Sequence, residues 1–180
     1  MGREESIGVS ARRQFRAVAP LPGVVTMLVP LAILLASGTD IGWGLNGVAA
    51  ALPVLLGLAA IGTGSALWLS TVRLFARLGK GTLAPWDPPR KLVVEGPYRH
   101  VRNPMITAVL AVLAGEAALF GSLPLLGWCA LFFAVTYVVF VLFEEPELEK
   151  RFGPEYGDYR RNVPRWLPRR TPWSPGAAGG

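Results

Sequence analysis

The chain has 180 residues, the length of one domain, and 52% of them are hydrophobic while only 17% are charged. Soluble domains carry about 25% charged residues, so a soluble core, a disordered chain and a disulfide scaffold are all poor fits. The net charge is +6, but the basic residues flank apolar blocks instead of forming an interleaved nucleic-acid surface. Cys129 is the only cysteine and His100 the only histidine, which excludes an internal disulfide, a thiolate zinc cluster and a His-rich metal site; no metal is expected.

Residues 1–20 read as a polar N-terminal arm. The first apolar segment, Leu21 to Ser37, is just long enough to cross a bilayer and contains Pro30. The plain alternative is a cleaved signal peptide, but the preceding tract is long and no clear small-x-small cleavage site follows. The second segment, about Trp43 to Val72, is too long for one perpendicular crossing and too short for two comfortable ones, so a tilted helix is expected. Asp40 is the only ionisable side chain between Gly23 and Val72. Gly57, Ala60, Gly62, Gly64 and Ala66 recur along this segment and let another backbone approach closely.

Residues 79–102 form a polar and aromatic loop whose heart, LAPWDP, is turn-forming. Asn103 to Phe143 holds one charge, Glu116, and is long enough for two crossings. Gly121, Ser122 and Pro124 mark the turn of a hairpin, about Pro104–Phe120 and Leu125–Phe143. The expected fold is therefore all-α and polytopic: a single domain over 1–180 with about four transmembrane helices, five if the second segment splits, and a cytoplasmic C-terminal helical segment. With four spans all 18 basic residues fall on one face. The positive-inside rule then places both termini in the cytoplasm of a bacterial-type cell membrane.

Polar chemistry concentrates beside these spans. Asn103 and Pro104 suit the N-cap and first position of a helix. A helix start at the membrane surface favours an anion, and Arg99, His100 and Arg102 adjoin it. Glu144 and Glu145 close the apolar run, with Pro146 marking a bend or a new helix; they either end the span, pair with Arg99 or Arg102, or hold a cationic ligand group. In the tail 144–170, Leu148, Phe152, Tyr156 and Tyr159 recur at helical spacing, and Gly153-Pro154 splits the tail into two short helices. Such a tail lies on the membrane or closes over a pocket. Residues 171–180 are expected to be disordered. Glu116 sits near the outer end of its helix, where packing or a headgroup contact is favoured over catalysis. Gly62-Thr63-Gly64 reads first as a packing element and second as a place of close ligand approach.

The stretches GTLAPWDPP, LVVEGPYRHVRNPM and EEPELEKRFGPEYGDYRRNVPRWLP, taken together, resemble the isoprenylcysteine carboxyl methyltransferase and phospholipid methyltransferase family. The resemblance covers roughly the C-terminal 120 residues, and the pairing of GPYRxVRNP with EE…FGxxYxxYxxxVPRxxP is what makes it specific. It implies that membrane helices and a cytoplasmic C-terminal segment enclose S-adenosylmethionine while the acceptor enters from the bilayer. By that resemblance Gly62, Gly64, Arg99, His100, Arg102, Asn103, Pro104, Glu144, Glu145, Tyr156 and Tyr159 are expected at the cofactor. Glu144, Glu145, Arg102 and Asn103 are the expected catalytic set. Arg160, Pro164 and Arg165 match the tail motif. The chain departs from the prenylcysteine branch at Asn103, where that branch has histidine, and at Ile106, where the family commonly has tyrosine. Prenylcysteine methylation is thereby disfavoured.

The expected activity is methyl transfer from S-adenosylmethionine to a membrane lipid or other hydrophobic small molecule, foremost to an amine of a phospholipid-like acceptor. A carboxylate or thiol acceptor is the second reading. A non-catalytic assembly or transport subunit is the third, and a transporter would need a polar path through the spans. No nucleic-acid partner is expected; the chain is embedded in lipid, and the sequence leaves its oligomeric state open.

Overall fold

The computed structural model describes residues 23–78 and 92–175. The N-terminal arm, the LAPWDP turn and residues 176–180 lie outside the described residues. Among the described residues all regular structure is helical.

Helix α1, Val29–Ser37, follows a π-helical turn, Val24–Leu28. Pro30 explains that turn. It lacks the N–H that would bond one turn back, and a wider turn relieves the clash of its ring with the preceding carbonyl. Helix α2, Val48–Leu78, is one continuous helix of 31 residues. At 1.5 Å per residue it runs about 46 Å, well beyond a hydrocarbon core of about 30 Å. The second apolar segment is therefore one long helix that begins a turn later than Trp43 and is not split.

Helices α3, Pro104–Phe120, and α4, Leu123–Val139, form the expected hairpin. Gly121 turns it at φ +58, the left-handed conformation that glycine adopts without strain. The second arm does not stop at Glu144. It passes through a second π-helical turn, Phe140–Glu144, into α5, Glu145–Phe152. Pro146 is the cause by the same logic as Pro30, so the expected bend is a widened turn. Gly153, at φ +52, then breaks the chain before α6, Pro154–Asn162.

Two helical stretches, Val48–Leu74 and Leu123–Phe152, are long and apolar enough to cross a bilayer, and Val24–Ser37 and Pro104–Phe120 are shorter apolar helices. Only 11% of the most apolar window of each long stretch is buried, which is the reverse of a soluble core helix. Exposed Leu52, Leu55, Leu131, Val135 and Leu142 have the apolar surface that lipid would cover.

The main packing seam joins α2 to α3. A Cβ on Gly57 would stand 2.8 Å from the Gly115 carbonyl oxygen, and one on Gly64 would stand 2.7 Å from the Ala108 oxygen. Glycine is thus required at both crossings, and dispersion between the close backbones holds the seam where no water is available to drive association. At the turn end, the Asp40 N–H donates to the Phe120 carbonyl at 2.9 Å and Trp43 Nε1 donates to Ala118 O at 2.9 Å. Trp128 Nε1 donates to Val25 O at 3.1 Å, tying α4 to the first turn. These bonds lock the hairpins together and leave the opposite end to carry the motifs.

Candidate active site

The motif end gathers the C-terminal part of α2, the start of α3, the π-helical end of α4, and the tail. The 3-10 turn Gly96–Arg99 delivers the chain to α3. Asn103 occupies the N-cap position, as its type suggests, yet its side chain makes no capping bond. Its carbonyl accepts from Thr107 N at 3.0 Å, and its Nδ2 is buried without a partner. An orphaned buried amide donor is unusual and points to a ligand acceptor.

The π-helical turn separates the two carboxylates. Glu145 points inward and is 3% exposed. Its Oε1 accepts from Arg102 Nη1 at 2.6 Å and from Arg165 Nε at 2.7 Å, and its Oε2 accepts from Arg165 Nη2 at 2.9 Å. Arg160 Nε lies 3.9 Å from Oε2 and reaches on to Glu149. Arg102 is also used up: Nε donates to Val163 O at 2.9 Å, and its backbone N–H to Pro164 O at 2.9 Å. This is a buried, bidentate, fully hydrogen-bonded ion pair, the arrangement that offsets the desolvation of its charges. The Glu145 hydrogen bonds raise the Arg165 pKa still further above its ordinary range, so the fork stays charged. Arg165 also lies over the Tyr137 ring at 5.6 Å.

Glu144 faces the other way. It is exposed and makes no hydrogen bond or ion pair among the described residues. Its charge is felt at Tyr98, whose phenol pKa is pushed up first by burial and then by Glu144. The free carboxylate and the Gly96–Arg99 turn are therefore neighbours.

Tyr156 and Tyr159 are 1% and 3% exposed and form an aromatic core with Val163 and Trp173, backed by Leu92, Val94, Leu148 and Phe152. The helical stripe of the tail thus packs on the loop that precedes α3. The Tyr159 hydroxyl donates to Tyr98 O at 2.7 Å. Burial raises the pKa of both phenols, and the Glu145 charge adds to the shift at Tyr156. Neither ring has an open face, so both shape the site from behind.

Beyond α6 the chain runs back along residues 99–107. Thr107 Oγ1 donates to Trp166 O at 3.1 Å, Arg169 N to His100 O at 2.9 Å, and Trp173 N to Arg99 O at 2.9 Å. Arg99 Nε returns a bond to Trp173 O at 2.8 Å, and its Nη2 bonds Ser174 Oγ. His100 Nδ1 lies 2.9 Å from Arg169 O; a carbonyl only accepts, so Nδ1 carries the proton. Trp173 and Ser174 fall in the stretch expected to be disordered, but burial of the indole and three bonds to Arg99 dock them. An isolated tryptophan between prolines was the available signal, and its charged surroundings concealed it.

The two glycines expected at the cofactor part company. Gly64 is buried against Ala108 in the α2–α3 seam, which is the packing reading of this element. Gly62 is exposed, with open space where a Cβ would go. Glu116 stays apart from the site, near the turn end of α3, with Oε2 buried and unpartnered.

Residues 52–155 match the model of the phospholipid methyltransferase family. The chain belongs to this family. Its members are membrane methyltransferases, and the matched stretch carries most of α2, the RNP start of α3 and both carboxylates, while most of α6 and the docked segment 163–174 lie beyond it. The chain is also similar to a nickel-cobalt-cadmium resistance protein of Alcaligenes xylosoxydans, at 34% identity over 44% of this chain and 37% of the relative. It resembles a cobalt-zinc-cadmium resistance protein of Cupriavidus metallidurans as well, at 35% identity over 43% of this chain and 36% of the relative. The alignments thus cover little more than a third of the length of these curated relatives. No solved structure matches the chain.

Proposed function

We propose that this phospholipid methyltransferase family member transfers a methyl group from S-adenosylmethionine to a hydrophobic acceptor at the cytoplasmic membrane surface, foremost to the amine of a phospholipid-like lipid. The observation that carries this reading is the meeting of three separated motifs at one end of the bundle, where they leave an amide donor and a carboxylate free. Family membership supports methyl transfer itself; the donor, the acceptor and the four-span arrangement with both termini inside are part of the proposal.

The residues present suit a zwitterionic sulfonium donor. The start of α3 offers the free N–H groups of Met105 and Ile106, since Pro104 has none and Thr107 already bonds Asn103, and Asn103 Nδ2 stands beside them. Together these are a site for the donor's carboxylate. Glu144 offers one carboxylate oxygen as an acceptor for a ribose hydroxyl, which leaves the group ionised and its other oxygen free.

Arg102 and Glu145 act by position. Their ion pair fixes the start of α3 against the π-helical end of α4, which holds Asn103 and Glu144 at a set separation. Such alignment is the main demand of a direct displacement. The acceptor nitrogen must lose its proton before its lone pair attacks the methyl carbon. Glu144 is the carboxylate free to take that proton. When bound, the donor would supply both the methyl group that the nitrogen lone pair takes and, as a neutral thioether, the leaving group of that displacement. Tyr156, Tyr159 and the extended segment 163–174 close the site from water behind the ion pair. Gly62, on the open face of α2, leaves room for the donor or the acceptor chain.

Calorimetry with S-adenosylhomocysteine and detergent-purified protein tests the donor, with binding expected. Transfer of labelled methyl from S-adenosylmethionine to extracted membrane lipids tests the acceptor. Absence of both would leave the non-catalytic reading.

A further inference from the structure

A cavity of about 570 Å³ opens between α2 and the Gly96–Arg99 turn. One wall is Leu67 and Ser70 of α2, within the apolar stretch Val48–Leu74. The facing wall is the Gly96–Arg99 turn with His100 and Val101, and Pro168 and Pro172 of the docked tail close the rim. Among the described residues no acidic one lines it, whereas Arg99 is permanently cationic.

Both polar residues of that wall have spare valence. Arg99 uses Nε and Nη2 on Trp173 and Ser174, and its Nη1 makes no bond among the described residues. His100 uses Nδ1 on Arg169 O and leaves Nε2 without a partner there. A guanidinium held rigidly by two of its nitrogens, with a third left over, is preorganised for an oxygen anion. The opposite wall has the other chemistry. Ser70, Ala66 and Gly62 follow one another up the open side of α2, all exposed. Their small side chains leave a path for an alkyl chain from the cavity into the bilayer.

We propose that this cavity seats the phosphate of the lipid acceptor, with Arg99 as its cationic group and α2 as the track of an acyl chain. This deepens the methyltransferase reading and rests on it, and it moves Arg99 and His100 from the donor to the acceptor. The spacing suits the chemistry. Asn103 is four residues from Arg99, at most about 14 Å of chain, and Glu144 lies close enough to act on Tyr98. A headgroup amine lies only two carbons beyond its phosphate, so a lipid held at Arg99 keeps its amine at this end of the bundle.

Direct binding tests the cavity without relying on turnover. Full-length protein in detergent is titrated by calorimetry with short-chain phosphatidic acid, with diacylglycerol of the same chains, and with glycerol 3-phosphate. Phosphatidic acid is expected to bind at least about tenfold tighter than either of the others, a difference of about 1.4 kcal/mol. Saturating S-adenosylhomocysteine should leave that affinity within about twofold. Arg99→Gln should weaken phosphatidic acid at least about fivefold and spare S-adenosylhomocysteine, as expected when one charge-assisted contact is lost. Ser70→Phe, which fills the cavity from the membrane wall and leaves the Arg99–Trp173 contacts in place, should do the same. Equal binding of diacylglycerol would overturn the phosphate site, and equal binding of glycerol 3-phosphate would reduce it to a free-anion site with no lipid. Competition by S-adenosylhomocysteine, or its loss in Arg99→Gln, would return the cavity to the donor. Indifference of phosphatidic acid to both variants would also refute the assignment. Failure of the methyltransferase reading is seen separately, as wild-type protein that binds no S-adenosylhomocysteine and methylates no lipid.

Discussion

Helix α3 is held at its two ends by opposite means. Toward the turn, Gly115 meets Gly57 with the backbones nearly touching, and the contact is stabilised by dispersion with no polar side chain between them. At the motif end, Arg102 just ahead of the helix meets Glu145 at 2.6 Å, and the contact is a desolvated charge pair. The seam is tolerant of chemistry but intolerant of volume. The ion pair is tolerant of neither, because removing one partner leaves the other buried and charged. One helix 17 residues long thus carries an apolar packing end and a charged motif end.

The largest expected effect comes from breaking the ion pair. Glu145→Gln should destabilise the protein by about 3–5 kcal/mol, read as a lowered melting temperature in detergent, and abolish methyl transfer. Its neighbour sharpens the contrast. Glu144→Gln should change stability by no more than about 0.5 kcal/mol, because nothing in the described structure bonds to it, while transfer falls at least about tenfold. If both variants behaved alike, the division of roles drawn by the π-helical turn would be wrong.

The seam comes next. Gly64→Leu should cost about 1–3 kcal/mol through overpacking against Ala108 O, whereas Gly62→Leu, two residues away and facing open space, should leave the melting temperature near that of wild type. A Gly62→Leu protein that is stable but defective in transfer would place a ligand on that face. Equal loss of stability at both would remove the distinction between seam and open face.

Tyr159→Phe should cost about 1 kcal/mol, the net worth of its hydrogen bond to Tyr98 O. Its pKa is raised in the folded state, so its contribution is full below the unfolded tyrosine value of about 10 and is lost as pH rises beyond it. Wild-type stability should therefore decline above about pH 10, and less steeply in the phenylalanine variant. The same slope in both would assign the alkaline loss to other groups.

Particular residues show how far the sequence reached. The first arm of the hairpin, Pro104–Phe120, was legible to the residue because Asn103-Pro104 and Gly121 are local signals, set by φ preference and by missing N–H groups, whereas the second arm begins at Leu123, two residues before the expected Leu125. The break at Gly153 was legible for the same reason. The π-helical turn before Pro146 was not, since the proline announces a disturbance without saying whether the helix bends or widens. The docking of Trp173 was hidden because its partners, Tyr159 and Arg99, are 14 and 74 residues away in sequence. The role of Arg165 as the fork on Glu145 was visible only as a motif position.

Composition and the spacing of the apolar blocks thus determined on their own that the chain is helical and apolar, because those properties follow from local propensity and from hydrophobic runs, while the paired motifs carried the resemblance to the family. Only the tertiary structure decided which of two adjacent carboxylates is buried and which is free. That choice depends on the extra residue in one π-helical turn, which rotates Glu145 toward Arg102 and Arg165 and leaves Glu144 facing outward. It also decided that Gly64 serves the seam and Gly62 the open face, a distinction set by where α3 crosses α2 and by nothing local to either glycine.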